Sequence, residues 1–119
     1  MGKIYGIHEI KVHPGIDEDS FIRFFNQEMI PFYENSDWKL TLLKGNRGQR
    51  NGRYAVLYEV ASREARDRDA PIPNQLSEAD KRWYEENKEQ ADDLAAKWAA
   101  FSPTDLATHL EYTDYEELD

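Results

Sequence analysis

Ile4-Tyr5-Gly6-Ile7-His8-Glu9-Ile10-Lys11-Val12, followed by His13-Pro14-Gly15 and then Asp17-Glu18-Asp19-Ser20-Phe21, is the stretch that decides the fold. An alternating segment runs into a tight turn and straight into a capped helix. Ile4, Gly6, His8, Ile10 and Val12 fall on one face of the strand, and Tyr5, Ile7, Glu9 and Lys11 on the other. The first set ends in the two most apolar positions and is expected to face helices. Pro14-Gly15 turns the chain, and Asp17 or a neighbour caps helix one, where acids suit the positive end of the dipole. Phe21, Phe24, Phe25, Glu28, Met29 and Phe32 recur at helical spacing, with the aromatics as the buried stripe. Pro31 is expected to end or kink this helix, because it has no backbone N–H to donate.

Working outward, 38–44 and 53–61 read as a hairpin. Trp38, Leu40 and Leu42 alternate with Lys39, Thr41 and Leu43; on the return, Tyr54, Val56, Tyr58 and Val60 alternate with Arg53, Ala55, Leu57 and Glu59. The connection holds Gly45, Gly48 and Gly52 and is too long for a two-residue turn, so it projects. Ser62 caps a short helix to about Asp69, and 70–74 is a loop. Ser77-Glu78-Ala79-Asp80 opens a long helix to about Phe101, with Trp83, Asn87, Ala91, Leu94, Trp98 and Phe101 as its stripe. A last strand spans about Thr108 to Tyr115, with Thr108, Leu110 and Tyr112 on one face and His109, Glu111 and Thr113 on the other. Glu116 to Asp119 reads as a frayed acidic tail. The order strand, helix, strand, strand, helix, strand is the split βαβ arrangement with an extra helix. Residues 1–119 read as a single domain.

Composition bounds the function. Three Trp, seven Tyr and five Phe supply a core, although charged residues reach 33% and the mean hydropathy is −0.88. The chain has no cysteine, which excludes disulfides, thiolate metal sites and cysteine nucleophiles. The net charge of −9 repels phosphate backbones and anionic membranes, so no nucleic-acid or membrane partner is expected. Met1-Gly2-Lys3 leads into an alternating segment rather than a signal peptide, and no apolar run approaches a membrane span. A cytoplasmic location is the expectation. Lys44, Arg47, Arg50 and Arg53 run against the acidic trend, with no acid among them.

With Lys11-Val12-His13-Pro14-Gly15 and Phe21, Met29-Ile30-Pro31-Phe32, Tyr58-Glu59-Val60-Ala61-Ser62 leading into Glu64-Ala65, and Lys44-Gly45-Asn46-Arg47-Gly48 before Gly52-Arg53-Tyr54, the chain resembles the dimeric α+β barrel superfamily from Ile4 to Tyr115. The resemblance extends to antibiotic-biosynthesis-monooxygenase-like and uncharacterised bacterial members. It implies an α+β, ferredoxin-like βαββαβ chain with a four-stranded antiparallel sheet, two copies of which pack their open faces into a barrel. Members include cofactor-free monooxygenases of polyketide tailoring, haem-degrading monooxygenases and isomerases, so fold does not fix function. The haem-degrading branch has a Trp at the end of the third strand and a His about ten residues on. Here that strand ends in Val60-Ala61 and no His lies between His13 and His109, which argues against haem degradation.

Four groups of residues carry candidate chemistry. The first is a ligand pocket between sheet and helices formed by Gly6, His8, Tyr58, Tyr112, Trp98 and Phe25, with His8 as the catalytic candidate. An imidazole beside two phenols can move a proton near neutral pH, and Gly6 leaves local room. The competing reading is a core histidine satisfied by tyrosine hydroxyls, with Trp38, Trp83 and Trp98 as core. The second is a polar cluster on the opposite, lumen-facing side: Glu9, Glu59, His109 and Glu111. Its spacing matches no metal motif, and Lys11, Lys39 and Arg53 share the face as ion partners. No metal site is assigned. The third is the hairpin loop, where Arg47 and Arg50 are placed to grip an anion or the acidic surface of a second subunit. The fourth is the sheet face of Tyr5, Ile7, Thr41, Leu43, Ala55 and Leu57, expected to join a homodimer.

The reading that follows is a small-molecule-handling dimer, monooxygenase-like, acting without cofactor on an aromatic or polyketide-like substrate. The alternative is a non-catalytic ligand-binding or structural dimer. An RNA-recognition module shares the strand order but is disfavoured by the net charge and by the sequence Tyr54-Ala55-Val56-Leu57-Tyr58.

Overall fold

The computed structural model describes residues 2–34, 37–69, 77–103 and 110–118, and only the backbone of Ala79, Asp80, Leu110 and Glu111. The chain is α+β. Strand β1 (Ile4–Ile10) leads to helix α1 (Glu18–Phe24), a π-helical turn (Phe25–Met29) and α2 (Ile30–Tyr33). Strands β2 (Trp38–Lys44) and β3 (Tyr54–Val60) follow, then α3 (Arg63–Asp69), α4 (Glu78–Glu86), α5 (Lys88–Ala99) and β4 (Leu110–Glu116). The strands form one antiparallel sheet in the order β2-β3-β1-β4, which is compatible with a ferredoxin-like chain.

Alternation along β1 sorts the two faces. Ile4, Gly6, His8 and Ile10 are buried, and Tyr5, Ile7 and Glu9 are half-buried. On β3, Tyr54, Val56 and Val60 are buried on that same side, because they stand opposite Ile10, His8 and Ile4 in the register. Helices close this face. Phe21, Phe25, Leu94 and Trp98 pack with Ile10, Leu40, Tyr54 and Val56 in one core, and Ala65 of α3 packs with Ile4 and Val60. Phe21 is the centre of the aromatic packing, with ring centroids 5.2 Å from Tyr54, 5.9 Å from Trp98 and 5.5 Å from Phe101.

Local chemistry sets the element ends. Asp17 accepts from the Ser20 N–H and caps α1, and the Ser62 hydroxyl accepts from the Ala65 N–H and caps α3. Pro31 does not end its helix. The turn before it widens to π-helix, where the absent proline N–H and the ring's crowding of the Gln27 carbonyl are absorbed, and the helix continues to Tyr33.

The long helix expected from Ser77 to Phe101 is two helices broken at Asn87, which leaves helical geometry at φ −109°, ψ 23°. The Asn87 amide donates to the Trp83 carbonyl at 2.8 Å, a local bond that competes with the helical ladder. The break leaves Trp83 38% exposed rather than in the core. The acidic end of the chain is also not frayed through its length. Glu116 closes β4 opposite Ile4, and the Glu117 N–H donates to the Lys3 carbonyl at 2.9 Å. Thr108 lies outside the described residues.

Phe21 is fully buried. Phe21→Ala is expected to cost about 3–5 kcal/mol by urea denaturation. A loss below about 1 kcal/mol would show that the helical layer does not depend on this ring.

Candidate functional site

Gly6 is the point where the polar residues of the helix-facing side meet. It stands opposite Tyr58 on β3 and opposite Asp114 on β4. Without a side chain there, the Tyr58 ring lies diagonally against His8, stacked at 5.4 Å between centroids and 15° between planes. His8 is only 1% exposed. Its Nδ1 lies 3.2 Å from the Glu9 carbonyl oxygen and its Nε2 lies 3.0 Å from Tyr58 Oη. A carbonyl can only accept, so Nδ1 carries the proton and donates. In the neutral ring, Nε2 then accepts from the Tyr58 hydroxyl.

On the other side of Gly6, Tyr112 Oη donates to Asp114 Oδ1 at 2.5 Å. Arg66 of α3 reaches the second oxygen of that carboxylate, Nη1 to Oδ2, at 3.3 Å. The room expected beside Gly6 is therefore taken by protein. A Cβ placed there would sit 2.7 Å from Asp114 Oδ1 and 3.2 Å from Tyr112 Oη. Burial, and then the nearby Tyr33, pushes the Tyr58 phenol far above its usual range. Burial, and then the hydrogen bond to the Asp114 carboxylate, does the same to Tyr112. Both are neutral phenols at any physiological pH.

The structure thus brings Gly6, His8, Tyr58 and Tyr112 together, and adds Asp114 and Arg66, which the sequence reading omitted. Asp114 was accessible by alternation, since it is the next residue after Tyr112 on the same face. Arg66 carried no signal, because the direction in which α3 leans over the sheet is not written in its sequence. Phe25 and Trp98 pack against each other at 6.0 Å in the aromatic core, at 0% and 3% exposure. The Trp38 indole is part-buried and donates to Asp69 Oδ2 at 2.8 Å.

The opposite face holds Glu9 and Glu59. Arg50 and Arg53 lie 3.7 and 3.4 Å from Glu9 Oε1, and Lys39 lies 4.0 Å from Glu59. The loop arginine Arg50 thus reaches a carboxylate of the sheet, and both it and Arg47 are exposed. His109 and the side chain of Glu111 lie outside the described residues. A register shift between Ile7 and Glu9 sets Leu110, not Glu111, opposite Glu9.

Among the described residues, no group of three or more His, Asp and Glu side chains is placed to hold a metal ion. No helix among them is long and apolar enough to cross a membrane. An open polar depression of about 560 Å³ between Glu86 and Asp93, at the α4–α5 junction, is separate from the His8 cluster. No protein-family profile, curated protein or solved structure matches the chain. The cluster is therefore read from its own chemistry.

Raised phenol pKa values fix the sign of an alkaline effect. A group protonated more firmly in the folded than in the unfolded state lends stability that is full below the unfolded tyrosine pKa of about 10 and is lost as pH rises beyond it. Stability should fall above about pH 10, and more shallowly in Tyr58→Phe and Tyr112→Phe. Urea midpoints measured from neutral to strongly alkaline pH test this; identical slopes in all three proteins would contradict it.

Proposed function

We propose that the chain is a small-molecule-handling protein of the dimeric α+β barrel type, in which His8 and Tyr58 form a proton-accepting pair for an aromatic or polyketide-like substrate. The observation that supports it is the directed chain from the Glu9 carbonyl through His8 to the Tyr58 hydroxyl, with His8 buried beneath the helices. A buried, oriented imidazole–phenol pair is the sort of arrangement that general base chemistry uses.

A substrate proton passing to Tyr58 Oη sends the phenol's own proton to His8 Nε2. Burial makes a free phenolate costly, so the two transfers occur together. The Glu9 carbonyl, fixed in the β1 ladder, holds the ring and steadies the imidazolium that forms. The resulting carbanion is the electron donor to dioxygen. A substrate CH₂ becomes a C=O, one oxygen atom stays on carbon, and the other leaves as water with the two protons. The four electrons that dioxygen takes up in that balance all come from the substrate carbon, so no cofactor is required.

The sheet order and the one-sided helical cover support the ferredoxin-like assignment, and the half-exposed face of Tyr5, Ile7 and Leu57 supports a second copy as its cover. A non-catalytic ligand-binding or structural dimer is the second reading. It is favoured by the close packing of His8, which is buried and hydrogen-bonded at both nitrogens.

Tyr58→Phe and His8→Gln distinguish the two readings. With a panel of aromatic and polyketide-like substrates, oxygen uptake should fall about 100-fold or more in each variant, the scale of a lost general base. Uptake by the native protein that neither variant changes, together with lowered melting temperatures in both, would leave the cluster a purely structural role.

A further inference from the structure

The sheet face that no described helix covers is electrically polar along its strands. At the end marked by Glu9, Arg50 and Arg53 both lean on one carboxylate, with side chains 53% and 60% exposed, and Arg47 is exposed nearby in the same connection. Two guanidinium groups thus meet the Glu9 carboxylate, and the connection carries a third, exposed arginine. At the other end, Tyr5 Oη donates to Glu117 Oε2 at 3.3 Å, and Glu59 stands opposite Tyr5 in the ladder. Lys39, 4.0 Å from Glu59, is 69% exposed. Both carboxylates, after burial, push the Tyr5 phenol up, as a negative local field requires. Tyr5 and Glu9 are four strand residues apart, about 13 Å. Between the two ends lie Ile7 and Leu57, paired across β1 and β3, with Thr41 facing Leu57 from β2.

This pattern is self-complementary in one orientation. A two-fold axis lying between two such sheets and crossing the strands near Ile7 and Leu57 reverses strand direction from one copy to the next. The basic end of each copy then covers the acidic end of the other, while the apolar middles meet. A two-fold interface repeats every contact, so the charge match is made twice. The unrotated stacking would set like charges together, which costs specificity as well as energy.

We propose that the Arg47–Arg50–Arg53 connection is a docking arm for the Glu59–Glu117 end of a second copy of this chain, and that it fixes the two sheets in opposed strand directions. This rests on the dimeric reading above and adds to it an orientation and the residues that set it.

Charge swapping tests it. Sedimentation velocity on the native chain should show a dimer whose dissociation constant rises steeply between low and molar salt. Arg50→Glu/Arg53→Glu and, separately, Glu59→Lys/Glu117→Lys should each weaken self-association at least about tenfold. Mixed in equal amounts, the two variants should recover a dimer, because every contact in the mixed pair is again opposite in charge. Circular dichroism checks that each variant is folded. Because Arg50 and Arg53 also hold Glu9, the exposed Arg47→Glu serves as an independent reversal that leaves that contact intact, and it too should weaken the dimer. A native dimer indifferent to salt and to all three reversals, or variants that weaken without recovering on mixing, would overturn the proposed arm and leave the dimer standing. A native chain that is monomeric at micromolar concentration would overturn the dimeric reading itself.

Discussion

Strand β1 lies inside the sheet with a ladder on each edge and a side-chain period of two, and that constraint organises the rest of the molecule. Every residue on it is committed to one side or the other, since a one-residue slip would exchange the faces. Ile4 and Ile10 bring the helices down on one side, and Phe21, Phe25 and Trp98 fill the layer they create. The other side is left with Tyr5, Ile7 and Glu9. Helix capping, the hairpin and the π-turn before Pro31 are local solutions within this frame.

Within the helix-covered layer, the physical tension is between burial and polarity. A histidine, two phenols, a carboxylate and a guanidinium sit beside Gly6, where side chains that burial alone would select are aliphatic. The cluster resolves the tension by satisfying its polar atoms in a directed way. Tyr112 donates to Asp114, Asp114 also accepts from Arg66, and Tyr58 donates to His8. Such networks hold one arrangement firmly when fully satisfied. That firmness serves a core and a proton-transfer site equally, so chemistry and not packing decides between the two readings.

Much of this was legible in the residues. Alternation in β1 and β3 assigned both faces, and the Asp17 and Ser62 caps were placed by their side-chain chemistry. Gly6 reads in the sequence as a missing side chain, and Asp114 and Tyr112 take the space beside it, because a sequence does not show which neighbour fills such a place. The break at Asn87 was hidden by a stripe that continues through it with helical spacing. Only the competing amide bond to Trp83 reveals it. The register shift in β4 was equally hidden, since a bulge alters pairing without altering composition. Arg66 and the reach of Arg50 and Arg53 to Glu9 depend on how elements lie across one another, which periodicity does not encode.

The direction of the His8–Tyr58 hydrogen bond carries the functional account, and nitrogen-15 NMR of the imidazole ring reads it directly. The account predicts a proton on Nδ1 and an unprotonated, hydrogen-bond-accepting Nε2. In Tyr58→Phe, the Nε2 resonance should move toward that of a free acceptor nitrogen. A ring protonated at Nε2, with Nδ1 bare, would contradict it, because His8 would then donate to Tyr58 and have no lone pair there to take a proton.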